Sequence, residues 1–134
     1  MKNLITFIVD DDVSIQMLHK VMVGKSNISN QPLVFGNGQL ALDYLLEKNI
    51  NQQQYLVLLD INMPILNGWG FLDAIQQSSF ENQLLIVIVT SSVDGRDRAK
   101  ASNYKQIIGF MEKPLKMDGC NAIKSLPEVA SFFI

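Results

Sequence analysis

Asp60 ends an apolar run, Tyr55-Leu56-Val57-Leu58-Leu59, and is followed by Ile61-Asn62-Met63-Pro64. A carboxylate at the carboxyl end of a buried strand contributes little to packing. It is placed for chemistry, because open α/β sheets keep their sites at that edge. Three further runs end in polar groups. Leu4-Ile5-Thr6-Phe7-Ile8-Val9 ends in Asp10-Asp11-Asp12, and Leu84-Leu85-Ile86-Val87-Ile88-Val89 ends in Thr90-Ser91-Ser92. Ile107-Ile108-Gly109-Phe110-Met111 leads to Lys113-Pro114. In a parallel sheet these acids, the hydroxyl and the amine converge at one edge.

Asp10, Asp11 and Asp60 brought together would repel one another. A pair about 4 Å apart costs on the order of 4 kcal/mol at an effective dielectric of about 20. A divalent cation removes that penalty. Mg²⁺ suits the set because it takes one or two carboxylates, keeps waters and leaves positions for phosphate oxygens. The main-chain carbonyl of Asn62 is a further candidate ligand. A carboxylate beside Mg²⁺ can attack phosphorus and form an acyl phosphate. The transfer needs mainly positioning and neutralisation of charge. Mg²⁺ would hold one phosphoryl oxygen, the Lys113 ammonium a second and the Thr90 hydroxyl a third. Each residue alone has an ordinary explanation: Asp12 as a helix N-cap, Thr90-Ser91-Ser92 as a cap of the fourth helix, Lys113 as a surface charge. Their joint placement at the strand ends carries the chemical reading.

The elements that must position them follow from periodicity. Ile15, Leu18 and Met22 recur at helical spacing with Met17 and Val21 beside them, which predicts an amphipathic helix over roughly 13–25. Its histidine, His19, is expected to be exposed. Pro32-Leu33-Val34-Phe35 reads as a short second strand. Gly36-Asn37-Gly38 is a turn that opens a second helix with Leu40, Ala41, Tyr44 and Leu45 on one face. After the third strand, Pro64 and Gly68 shape a loop, and a third helix buries Phe71, Leu72 and Ile75. Trp69 at its start is expected to pack beside Pro64 or to meet a partner. A helix over about 94–103 follows the fourth strand, with Asp94 or Asp97 near its start and few large apolar residues to anchor it. Gly119 and Pro127 divide the last segment, so its helix starts at 116 or at 121.

Five strands alternating with helices give an α/β fold with a parallel sheet. Right-handed crossovers put helices on both faces. The usual arrangement for five such units is the flavodoxin-like three-layer fold with strand order 2-1-3-4-5, which makes the ends of strands 1 and 3 neighbours.

The chain has 134 residues, 48% of them hydrophobic and 18% charged. These values fit a single folded domain over 1–134 with a real core. A net charge of −2 gives no basis for direct nucleic-acid binding, which needs clustered Lys and Arg. One cysteine, Cys120, rules out an internal disulfide, points to a reduced cytoplasmic setting and is expected to be a small packing residue. No apolar stretch approaches the roughly 20 residues of a spanning helix, and Asp10-Asp11-Asp12 interrupts the first apolar run too early for a signal peptide. With one histidine, His-rich metal sites are excluded and a Ser-His-Asp triad would depend on His19.

Over essentially its whole length the chain resembles a bacterial two-component response-regulator receiver domain. The matching pieces are Ile8-Val9-Asp10-Asp11-Asp12, Phe35-Gly36-Asn37-Gly38 with Ala41-Leu42, Leu58-Leu59-Asp60-Ile61-Asn62-Met63-Pro64 with Gly68, Val89-Thr90-Ser91, and Phe110-Met111-Glu112-Lys113-Pro114. The resemblance implies that Asp60 accepts phosphate from a histidine kinase or phosphotransfer protein, and that Asp10 and Asp11 bind Mg²⁺, with Asp11 the more direct ligand. It implies that Lys113 and Thr90 contact the phosphoryl group, and that Lys113-Pro114 is cis. Phe110 matches the family's switch aromatic, which follows Thr90 inward, and the fourth helix, fifth strand and fifth helix form the output face. Asn62 beside the path of hydrolytic water implies a short to intermediate lifetime for the acyl phosphate. Asn67 replaces an acid often found before this glycine. The layout is that of a stand-alone receiver, as in chemotaxis signalling. Output is expected through an unknown downstream protein, from a monomer or a weak phosphorylation-dependent dimer.

A haloacid-dehalogenase-like phosphatase with Asp10 as nucleophile is the enzyme alternative, since Asp10-Asp11-Asp12-Val13 resembles its D-x-D motif. That reading leaves Asp60 without a role, lacks the late acidic pair and leaves little chain for a substrate cap. A non-catalytic interaction module is disfavoured because every acceptor-site residue type is present. An FMN binder is disfavoured because no Ser/Thr/Gly-rich loop follows the first strand.

Overall fold

The computed structural model describes residues 3–91 and 95–133. Ser92 and Asp94, two of the candidate caps of the fourth helix, lie outside the described residues. Strands β1 (Leu4–Val9), β2 (Leu33–Phe35), β3 (Gln54–Leu59), β4 (Leu84–Thr90) and β5 (Ile107–Glu112) form one sheet in the order 2-1-3-4-5. Every pairing in it is parallel. Strands β3 and β4 are apolar on both faces, as a sheet covered twice requires.

The helices are α1 (Val13–Lys25), α2 (Gly38–Lys48), α3 (Gly68–Gln76), α4 (Gly95–Ala101), α5 (Met117–Lys124) and the short α6 (Pro127–Ala130). One core cluster joins Phe7, Val57, Ile86 and Ile88 to Ala41, Leu45, Phe71, Leu72 and Ala101 of α2, α3 and α4. The other joins Ile8, Leu56, Leu58 and Val87 to Val23, Cys120, Ile123 and Val129 of α1, α5 and α6. This is the three-layer flavodoxin-like arrangement, with Cys120 fully buried as a packing residue.

Local chemistry sets the helix starts. Asp12 caps α1 by accepting from the N–H groups of Ser14 and Ile15, Asn37 caps α2 and Asn67 caps α3. Gly68 is required by close approach: a Cβ there would lie 2.6 Å from the Asp60 carbonyl oxygen. Its N–H donates to the Ile61 carbonyl at 2.9 Å, which ties the start of α3 to the turn after Asp60. Helix α5 starts at Met117 and contains Gly119.

Helix α1 corrects the expectation for its buried face. Its buried residues are His19 and Val23, while Met17, Leu18 and Val21 are exposed together with Val13. The inward stripe is turned by one residue's angle, about 100°, from the Ile15, Leu18, Met22 series expected, because Gln16 and His19 are engaged by polar main chain beneath them. In α2, Leu40 is likewise exposed, and Ala41 and Leu45 carry the packing.

Candidate functional site

The main chain delivers the acids to one edge. The Asp60 N–H donates to the Val9 carbonyl at 2.9 Å and the Asp10 N–H to the Phe35 carbonyl at 3.0 Å, so both residues extend the sheet by one rung. The Lys113 N–H donates to the Thr90 carbonyl at 2.8 Å, which sets β5's end beside β4's. Carboxylate oxygens of Asp10, Asp11 and Asp60 lie within 4.8 Å of one another. Asp10 and Asp60 are each 3% exposed, whereas Asp11 faces solvent.

Lys113 closes the cluster. Its ammonium is 2.9 Å from Asp10 Oδ2 and 3.2 Å from Asp60 Oδ2. Asp10 Oδ1 accepts from the Asp12 N–H, and Asp60 Oδ1 accepts from the Ile61 N–H. Burial pushes the Asp60 carboxyl above its ordinary value, and the charge of Asp10 adds to that; Lys113 and the Ile61 N–H oppose the shift without reversing it. Burial pulls the Lys113 ammonium down, but its hydrogen bond to Asp10 and the charges of Asp60 and Asp10 outweigh it, so the net shift is upward. The protonated form of Lys113 is therefore held firmly.

Thr90 is fully buried, and its Oγ1 has no hydrogen-bond partner among the described residues. A buried hydroxyl without a partner is a destabilising feature that a bound acceptor would relieve. Asn62 is exposed two residues after Asp60. Phe110 is half-buried on β5, paired with Ile88, and the Arg98 guanidinium lies 4.9 Å from its ring centroid. The Lys113-Pro114 peptide is cis. Trp69 is packed: it stacks on Tyr104 with centroids 5.6 Å apart, and Lys100 lies over it. Tyr104 donates to Asp73 at 2.6 Å; its burial and that carboxylate push its hydroxyl up to about 12.

The donor set fits a hard divalent cation. Three carboxylates, one of them open to solvent, match an ion that takes few protein ligands and keeps its waters. The unpartnered Thr90 hydroxyl and the Lys113 ammonium supply a donor and a positive charge at the same edge.

His19 and Gln16 were not among the candidate site residues. His19, expected on the surface, is 2% exposed, and its Nε2 accepts from the Leu115 N–H at 2.9 Å. Gln16 Nε2 donates to the Asp10 carbonyl at 2.6 Å. The spacing Gln16, His19, Val23 carries the signal, being as helical as Ile15, Leu18, Met22.

Residues 6–124 match the sequence profile of the response regulator receiver domain. The chemotaxis protein CheV2 of Helicobacter pylori is 33% identical over 81 residues, which is 60% of this chain but 26% of that protein. A two component response regulator from Cytophaga hutchinsonii has a solved structure that superposes with a TM-score of 0.85 at 25% identity, covering 98% of this chain and 99% of that one. The bacteriophytochrome response regulator RtBRR superposes with a TM-score of 0.79 at 26% identity, covering 95% of this chain and 79% of that one. Among the described residues no helix is long and apolar enough to cross a membrane.

Proposed function

The chain belongs to the response regulator receiver domain family, and on that premise we propose that Asp60 is its phosphoacceptor. Receiver domains are signalling proteins rather than conventional enzymes; the chemistry proposed for this one is its own phosphorylation and dephosphorylation. The observation that carries the reading is the Lys113 ammonium bridging Asp10 and Asp60 beside the unpartnered Thr90 hydroxyl.

The donor is a phosphohistidine of a histidine kinase or phosphotransfer protein. The Asp60 carboxylate attacks its phosphorus; an O–P bond forms, the N–P bond breaks, and the freed imidazole nitrogen takes a proton from solvent. Asp10, Asp11, Asp60 and the Asn62 carbonyl would hold Mg²⁺. Bound there, the ion offsets the carboxylate charge and shares that of the phosphoryl oxygens. Lys113 moves its hydrogen bonding from the carboxylates to one phosphoryl oxygen, and Thr90 donates its free hydroxyl to another. Asn62 stands where a hydrolytic water approaches.

The donor must cover the surface around Asp60. Val13, Met17, Leu18 and Val21 expose an apolar face on the helix that begins three residues after Asp10, and Ile65 is exposed five residues after Asp60. That combination suits an amphipathic partner helix. Output runs through α4, β5 and α5 to a downstream protein, with Thr90 and Phe110 as the switch. The setting is cytoplasmic, with 1–134 acting as one receiver domain in monomeric or weakly dimerising form.

The test is Asp60→Asn. Labelled acetyl phosphate with Mg²⁺ should modify the parent chain and leave the variant unlabelled. Equal labelling of both would sink the assignment. Reduction of the labelled chain with borohydride followed by mass spectrometry separates Asp60 from Asp10, the nucleophile of the phosphatase alternative.

A further inference from the structure

One turn of α1 grips both halves of the ionic cluster. Gln16 and His19 are three residues apart and so share a helix face. Gln16 holds the carbonyl of Asp10. His19 holds the N–H of Leu115, two residues after Lys113 and buried in the second core cluster. Upstream, the Lys113 N–H is fixed to Thr90; downstream, the Cys120 N–H is fixed to Lys116. Between those anchors Pro114 has no N–H to offer. His19 therefore supplies the polar hold on this stretch from outside the loop.

The ring is suited to that task only when neutral. An imidazole that accepts at Nε2 carries its proton on Nδ1. Burial disfavours the charged form of His19, and the charge of Lys113 acts the same way against the opposing charge of Asp10. Polar groups on an otherwise apolar inner helix face also cost packing area, and here both of them are spent on main chain adjoining Asp10 and Lys113.

We propose that His19 is a positioning residue for phosphoryl transfer, setting through the Leu115 N–H where the Lys113 ammonium stands between Asp10 and Asp60. The proposal rests on Lys113 acting at the phosphoryl group. The physical reason is reach. Lys113 spans from the end of β5 to two carboxylates on β1 and β3, with contacts of 2.9 and 3.2 Å. A main chain free to drift after Lys113 lets the ammonium follow one carboxylate and leave the other.

The test compares His19→Leu, which keeps bulk without an acceptor, with His19→Gln, whose amide oxygen falls near the position of Nε2. Two readouts are needed on the full chain: the initial rate of labelling by acetyl phosphate at saturating Mg²⁺, and NMR of the unphosphorylated protein, following Leu115 amide exchange and the Lys113 ζ-ammonium signal. His19→Leu should label about tenfold more slowly, expose the Leu115 amide to exchange and shift the Lys113 signal. His19→Gln should recover most of the rate and both spectral features. A folded His19→Leu chain that labels at the parental rate overturns the proposal, as does a Lys113 signal unmoved when Leu115 loses protection. If His19→Leu does not fold, His19→Asn replaces it, since its shorter amide stops short of Leu115. A parent chain that acetyl phosphate does not label would count against Asp60 as acceptor, and the two NMR readouts would still decide the role of His19.

Discussion

The guanidinium of Arg98 lies 4.9 Å from the centre of the Phe110 ring, a contact that joins α4 to β5 across the surface proposed for output. Helix α4 is otherwise thinly anchored, with Ala101 its one buried residue among those described. The inward rotation proposed for Phe110 would give this contact up. Cation–π pairs at exposed sites contribute about 0.5–1 kcal/mol. Arg98→Ala should therefore ease the switch, tightening apparent binding of a beryllofluoride phosphoryl mimic by about two- to fivefold. Unchanged affinity would show that Arg98 does not oppose the transition.

Asp60→Asn should raise thermal stability at neutral pH. The folded protein holds the Asp60 proton more tightly than the unfolded chain, because burial and Asp10 push its carboxyl above the ordinary 3.8. Stability from this group is thus fully present below that ordinary value and is lost as pH rises through the folded value. Melting curves of parent and variant should differ most at neutral pH without Mg²⁺ and converge in acid. Adding Mg²⁺ to the parent should narrow the gap.

His19 has the opposite sign. Its folded value lies below the ordinary 6.5, so the unfolded chain takes up the proton first. Stability from His19 is present above about 6.5 and is lost as pH falls through the folded value. Denaturant melts between about pH 7 and pH 5 should show a steeper decline for the parent than for His19→Gln.

Ile65 has a φ of 70° and is 82% exposed. A β-branched residue in the left-handed region is strained, and no packing offsets it. Ile65→Gly should stabilise the protein by on the order of 1 kcal/mol in chemical denaturation, the relief of strain exceeding the entropy cost of glycine. If the exposed side chain also meets the phosphodonor, the same variant should be labelled more slowly by phosphotransfer protein than by acetyl phosphate.

Gly68→Ala should act in the other direction. Its Cβ would meet the Asp60 carbonyl oxygen at 2.6 Å and the Ile61 Cα at 2.9 Å. Both are main-chain atoms with little freedom to yield, so a loss of about 1–3 kcal/mol is expected. Labelling by acetyl phosphate should fall as well, because the atoms displaced belong to the turn that aims Asp60.

The meeting of the candidate site residues was legible because they stand where apolar runs stop. Asp10, Asp60, Thr90 and Lys113 were each placed by the end of a strand, and the strand limits in the structure match those runs closely. The thin anchoring of helix α4 was legible for the opposite reason, its lack of large apolar residues. Trp69 was harder: its stacking partner Tyr104 is 35 positions along the chain, and nothing local links the two.

Helix α1 marks the boundary between what each level decides. Local sequence determined that residues 13–25 form a helix, since a cap at Asp12 and a 3.6-residue rhythm act within a few positions. Two stripes in it were equally periodic, and the more apolar one is turned away from the core, with Leu18 exposed and Ile15 and Met22 only partly buried. The choice was made by main-chain groups of Asp10 and Leu115, which are buried beneath the helix and need a donor and an acceptor. Periodicity fixes the angle between side chains, but it cannot say which angle points at the sheet; only the fold, by bringing residue 115 beside residue 19, supplies that reference.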